Sequence, residues 1–203
     1  MKRALMIGLA ACALAAGHAG AGAAEPSVGE PAPEFSLTDT SGTAHSPAEA
    51  KGTFVVLEWS NPECPFVKKH YGSGNMQRLQ DAYTGKGVTW WTIISSAPGK
   101  QGYVTPAEGN TLRAQRGDQS SAMLLDPDGT VGRLYGAKTT PHMFVINPDG
   151  ALIYKGAIDN KPTPDPNDIA SAANYVQEAL DAAMAGKAVP TPETQSYGCS
   201  VKY

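Results

Sequence analysis

Phe54-Val55-Val56-Leu57-Glu58-Trp59-Ser60-Asn61-Pro62-Glu63-Cys64-Pro65 changes character twice in a short span. Its first half is an apolar, β-branched and aromatic run, which reads as a buried strand over 54–59. Asn61-Pro62 breaks the run. Pro65 is well tolerated in a first helical turn, so a helix is predicted to start there, with Cys64 at the junction. A thiol in that position faces unpaired backbone N–H groups and the positive end of the helix dipole. Both favour the thiolate, so Cys64 is a candidate reactive thiol with a lowered pKa, and Lys68 and Lys69 could add to the effect. An inert buried cysteine is the plainer alternative.

Working outward, Gly72-Ser73-Gly74 should interrupt this helix, and Asn75 could cap a continuation through Met76, Leu79 and Tyr83. Residues 88–95 read as the next strand. Thr105-Pro106-Ala107-Glu108 has the form of a capping box with Pro at the first helical position, and its helix should end near Gly117. Residues 122–125 read as a strand closed by Asp126-Pro127-Asp128-Gly129. Residues 143–146 and 151–155 flank a similar turn, Asn147-Pro148-Asp149-Gly150, and read as a hairpin. Upstream, Phe35, Leu37 and Asp39 alternate into a Ser41-Gly42 turn. Ile169, Ala173, Val176, Leu180 and Met184 form the stripe of an amphipathic helix. Residues 186–203 lack periodicity and read as an extended tail. Strands alternating with helices and closing on a hairpin predict an α/β fold with a mixed sheet. Trp59, Trp90 and Trp91 are expected in the core.

The beginning of the chain differs from the rest. Met1-Lys2-Arg3 is a short positive region, an apolar run follows to Ala16, and Ala21-Gly22-Ala23-Ala24 supplies small residues. That order is the pattern of a secretory signal peptide over 1–24, leaving one domain over 25–203 and a periplasmic or secreted protein. The run is shorter than the roughly 18 apolar residues of a membrane span. Leu9-Ala10-Ala11-Cys12 also has the form of a lipoprotein box, so anchoring at Cys12 is a minor alternative. Formal net charge is −3 with no basic block, which argues against a nucleic-acid partner. Removal of 1–24 takes away two cations, no acid and one of the three cysteines. The remaining Cys64 and Cys199, in an oxidising compartment, suggest a disulfide, structural or catalytic.

Residues 55–69, together with Tyr135-Gly136-Ala137-Lys138-Thr139-Thr140-Pro141-His142-Met143-Phe144-Val145-Ile146-Asn147-Pro148-Asp149-Gly150, resemble the thioredoxin superfamily. Gly29-Glu30-Pro31-Ala32-Pro33-Glu34-Phe35-Ser36-Leu37-Thr38-Asp39 resembles the opening of its AhpC/TSA redoxin branch. Cys64-Pro65-Phe66-Val67-Lys68-Lys69-His70-Tyr71 and the closing Gly198-Cys199-Ser200-Val201-Lys202-Tyr203 are similar to one redoxin-like subgroup of that branch. The resemblance implies a thioredoxin-like fold with an N-terminal redoxin hairpin, a cis bond between Thr140 and Pro141 beside Cys64, and a thiol–disulfide oxidoreductase or peroxiredoxin-like activity. It implies a protein disulfide or peroxide as substrate and an external thiol as reductant.

Two departures qualify the resemblance. Thioredoxins carry Cys-x-x-Cys, whereas Val67 stands at the second cysteine's position. Peroxiredoxins carry Thr or Ser three residues before the reactive cysteine, where Asn61 stands. Glu58 occupies the place of the buried proton-shuttling acid of thioredoxins; a carboxyl in an apolar strand would have a raised pKa suited to general-base work, unless it faces solvent. Cys199 is the candidate resolving thiol, with a structural staple and an intermolecular disulfide as alternatives. His70 reads as a helix-face histidine and His142 as a surface histidine after Pro141. With both cysteines they could form a copper-type site; the alternative to catalysis is a noncatalytic module binding copper or a protein partner, with Cys64 and Cys199 structural.

Overall fold

In a computed structural model, residues 25–203 are described. The proposed signal peptide and Cys12 lie outside them. The strands are β1 Leu37–Asp39, β2 Ala44–His45, β3 Val55–Trp59, β4 Thr89–Ile94, β5 Ala122–Leu125, β6 Thr139–Thr140, β7 His142–Ile146, β8 Leu152–Gly156 and β9 Cys199–Ser200. The helices are α1 Pro65–Gly72, α2 Asn75–Thr84, α3 Pro106–Arg116, α4 Thr130–Leu134 and α5 Tyr175–Met184.

Seven strands form one mixed sheet in the order β2-β1-β5-β4-β3-β7-β8, and β6 pairs with β9 in a separate ribbon. β3, β4 and β5 are parallel, while β1 and β7 add to their outer sides antiparallel. β3 is buried along its whole length, as a central strand covered on both faces must be. Its side chains alternate between two apolar layers. Leu57 and Trp59 join Phe35, Trp91 and Phe144 on one face; Val56 joins Val67, Met76, Trp90 and Leu180 on the other. Each such large side chain contributes about 1.5–3 kcal/mol on burial. Glu58 shares the face of Val56, which sends its carboxyl into the layer under α1 and α2.

The capping box at Thr105 forms in full, and Gly117 ends α3 in the left-handed region (φ 61°). Both turn-linked hairpins form, β1 with β2 and β7 with β8. Two readings need correction. Gly74, in the left-handed conformation that favours glycine, caps α2; Asn75 is its first helical residue and instead bonds His70 Nδ1 through its side-chain amide at 2.9 Å. α5 begins at Tyr175, because the Asn174 side chain caps it by accepting from Gln177 N–H at 2.9 Å; Ile169 lies in a 3₁₀ turn over Pro166–Ser171. The stripe therefore continued past the point where the backbone turns. α4 and β6 carried too few residues to show a period. Among the described residues, no helix is long and apolar enough to cross a membrane.

Candidate active site

Cys64 sits at the C-terminal end of β3, the sort of strand end where open α/β sheets place their sites. It is the N-cap of α1, with Pro65 in the first turn. It is fully buried, at 0% exposure. The Thr140–Pro141 bond is cis. Thr140 O accepts from the Cys64 thiol at 3.1 Å, which joins the strand end to the loop before β7.

The third component is the tail. Cys199 lies directly opposite Thr140 in the β6–β9 pair, and Ser200 opposite Thr139. Thr140 Oγ1 donates to Cys199 O at 3.4 Å. Gly198 makes this approach possible: a Cβ there would stand 2.1 Å from Thr140 O, and its φ of 125° is open to glycine alone. Both cysteines are free thiols, Cys64 bonded to Thr140 O and Cys199 paired opposite Thr140.

Burial pushes the Cys64 thiol up, but it is outweighed by hydrogen bonds to the sulfur from the Cys199 thiol, Thr140, Val67 N–H and Cys199 N–H, so Cys64 is held below the usual thiol value. The bond to Thr140 O works the other way, since only the neutral thiol can donate it. Burial and the hydrogen bond and charge of Cys64 push Cys199 up to about 11. The two thiols are thus shifted in opposite directions, Cys64 down and Cys199 up. The lysines are not part of this. Lys68 is exposed, and buried Lys69 donates to Lys161 O at 2.8 Å and lies 3.6 Å from Asp159.

Glu58 is completely buried. Its Oε1 accepts from Tyr71 at 2.9 Å; its Oε2 accepts from Trp90 Nε1 at 3.0 Å, Gln80 Nε2 at 3.1 Å and Thr92 at 3.4 Å. Burial, and then the charge of Asp118, push its pKa up to about 7. None of its hydrogen bonds reaches Cys64. Asn61 is also occupied: Oδ1 accepts from Glu63 N–H at 2.9 Å and Nδ2 donates to Gln101 O at 3.1 Å.

The histidines do not converge on the thiols. His142 is buried rather than on the surface, because β7 turns inward immediately after Pro141. Its Nδ1 accepts from Lys138 N–H at 3.3 Å, its ring packs 4.5 Å from that of Phe144, and burial holds its pKa down to about 3. His70 lies between Asn75 and Tyr197 Oη, and burial brings it down to about 4. Among the described residues, no group of three or more His, Cys, Asp or Glu side chains gathers as a metal site would.

A model of the AhpC/TSA family matches residues 28–155. The chain belongs to the AhpC/TSA family. The match ends well before Cys199, so the tail of this AhpC/TSA protein lies beyond it. No curated protein sequence matches the chain. Among solved structures, an uncharacterized conserved protein from Geobacillus kaustophilus is 27% identical, with a TM-score of 0.73, over 87% of this chain and 92% of its own. A hypothetical protein from Sinorhizobium meliloti 1021 is 25% identical, with a TM-score of 0.73, over 89% of this chain and 96% of its own. The thioredoxin domain of a thiol-disulfide oxidoreductase from Bacteroides vulgatus is 18% identical, with a TM-score of 0.51, over 71% and 96%. The fold of this AhpC/TSA protein is thioredoxin-like.

Sequence reading singled out Cys64, Cys199, Glu58, Thr140 and Pro141. The structure brings the two cysteines and Thr140 together, and Pro141 follows directly. Glu58 stands apart in its own polar cage. Tyr197 and Tyr203 were missed. Two aromatic residues bracketing a cysteine in an otherwise aperiodic tail were the available signal.

Proposed function

We propose that the protein is an exported thiol–disulfide oxidoreductase in which Cys64 is the nucleophile and Cys199 the resolving thiol. The observation that carries this reading is that Thr140 joins the two thiols, its carbonyl accepting from Cys64 at 3.1 Å and its backbone lying directly opposite Cys199. In the reaction, the Cys64 thiolate attacks one sulfur of a substrate disulfide, forming a mixed disulfide and releasing the other sulfur as thiolate. That bond removes the negative charge beside Cys199, so Cys199 can lose its proton. The Cys199 thiolate then attacks the Cys64 sulfur, releases the second substrate thiolate and leaves a Cys64–Cys199 disulfide. Two equivalents of an external thiol return the pair to dithiol. Thr140 holds both partners, and Pro141 fixes the backbone after it. Glu58 is the buried acid that titrates in the working pH range. A disulfide substrate is favoured over peroxide because Asn61 supplies no hydroxyl and its side chain is already committed to the loop.

The test is Cys199→Ser, exposed separately to a protein disulfide and to hydrogen peroxide and read by mass spectrometry. A trapped Cys64 mixed disulfide in a folded variant supports the reading. A trapped sulfenate with peroxide alone would instead make the protein a peroxidase. Full multiple turnover by a destabilised variant would reduce Cys199 to a staple. Tight stoichiometric Cu(I) binding lost with either cysteine would point to the binding module. Export is tested by N-terminal sequencing, expected to start close to Glu25; retained Met1 in a cytoplasmic fraction would overturn it.

A further inference from the structure

A substrate cannot reach Cys64 in the observed arrangement. The sulfur is fully buried, and the nearby cavity of about 570 Å³ is lined by Thr139, His142 and Ser196 but by neither thiol. The tail lies against this site: Cys199 packs on the apolar layer that holds Cys64, and the tail is attached on both sides of Cys199. In front, Tyr197 Oη donates to Asp159 and its ring lies 5.8 Å from that of Phe66 on α1. Behind, Val201 N–H donates to Lys138 O at 3.1 Å and Lys202 O accepts from Ala97 N–H at 2.8 Å.

Tyr203 completes the rear attachment in a slot shaped for it. Its hydroxyl donates to Ala137 O at 2.7 Å, and the Arg133 guanidinium lies 4.5 Å from its ring centre. The ring occupies the space left by two glycines of the α4 turn. A Cβ on Gly129 would stand 2.3 Å from Tyr203 Cδ1, and a Cβ on Gly132 would stand 2.5 Å from Tyr203 Oη. Any side chain at Gly132 would therefore push the tyrosine out. Tyr203 touches neither sulfur.

We infer that Tyr203 is a positioning residue, the latch of a tail strap that, when shut, covers Cys64 and presents Cys199 to it, and, when released, opens Cys64 to a substrate. Strand β9 has only the two-residue pair with β6 on its own account, too short a ladder to hold the strap shut. The latch supplies a hydrogen bond and a cation–π contact, each of which adds to the closed population. The redox part of this inference rests on the proposed function; the covering part does not.

Two measurements on the full chain test it, in Tyr203→Ala, Tyr203→Phe and Gly132→Ala. The first is the rate at which iodoacetamide modifies Cys64 in the reduced protein, resolved by mass spectrometry from modification of Cys199. The second is the equilibrium in which the dithiol and oxidised glutathione give the Cys64–Cys199 disulfide and two reduced glutathiones. Tyr203→Ala and Gly132→Ala are expected to speed Cys64 modification about tenfold and to lower the disulfide equilibrium constant by a similar factor. Tyr203→Phe keeps the ring and loses one hydrogen bond, so it should fall between them and the parent. Near-UV circular dichroism identifies any variant whose core has loosened, and the remaining two then decide. If folded Tyr203→Ala and Gly132→Ala match the parent in both measurements, the latch is wrong. If the parent never forms the disulfide, the redox function fails, while faster modification in the variants still establishes the strap.

Discussion

Thr140 and Cys199 face each other across an antiparallel strand pair, and the carbonyl of Thr140 accepts the thiol of Cys64 at 3.1 Å. One residue thus holds the strand-end thiol through its backbone oxygen and the tail thiol through its pairing register. The two cysteine backbones are therefore brought together through one residue of the β6–β9 pair. Val67, at the position where thioredoxins carry their second cysteine, packs in the core.

The first prediction concerns the thiolate. The pH dependence of Cys64 modification should have a midpoint below the free-thiol value of about 8.5. Cys199→Ala removes one of the donors to the sulfur, so its midpoint should rise towards that value. In Cys199→Ser a hydroxyl can still donate, and the rise should be smaller. A parent midpoint at or above the free value would contradict the hydrogen-bonding account.

The second concerns Gly198. Gly198→Ala places a methyl against Thr140 O and demands a φ that alanine rarely adopts. β9 should separate from β6 while the seven-strand sheet stays intact. Disulfide formation with oxidised glutathione should fall at least tenfold, with near-UV circular dichroism little changed. Unimpaired disulfide formation would show that the strand pair does not position Cys199.

A third prediction follows from the Glu58 cage. Its pKa is raised in the folded state, to about 7, so between about 4.5 and 7 the folded protein holds a proton that the unfolded chain has lost. Stability should therefore fall as pH rises through that window and level off above it, by at most about 3 kcal/mol. Glu58→Gln can donate to Tyr71 from its amide nitrogen and accept from Trp90, Gln80 and Thr92 at its oxygen, as the protonated acid does. It should fold and lose the slope, as denaturant unfolding at several pH values would reveal.

The fourth concerns the buried ion pair of Lys69 and Asp159, which also receives Tyr197. Asp159→Ala leaves a buried ammonium without its carboxylate and should cost about 3–5 kcal/mol in urea unfolding. Replacing both residues by apolar ones, Lys69→Met with Asp159→Leu, should recover much of that loss. A single variant as stable as the parent would show that Lys69 finds water or another partner.

What the sequence determined by itself was local. The strand over 54–59, the start of α1 at Pro65, the capping box at Thr105 and the two Pro-Asp-Gly turns each depend on residues within one or two turns of chain. Composition and spacing report them directly. The resemblance to thioredoxin-fold redoxins then pointed to the sheet and to Thr140 and Pro141. Only the tertiary structure decided that Cys64 is sealed, that Glu58 lies in a cage of four donors away from the thiols, that His142 is buried and that Lys69 turns to Asp159. It alone placed Cys199 against Thr140 and fitted Tyr203 over Gly129 and Gly132. Those relationships join segments far apart in the chain. They arise from which surfaces pack together and which polar groups must find partners once water is excluded, and neither is encoded in the neighbours of a residue.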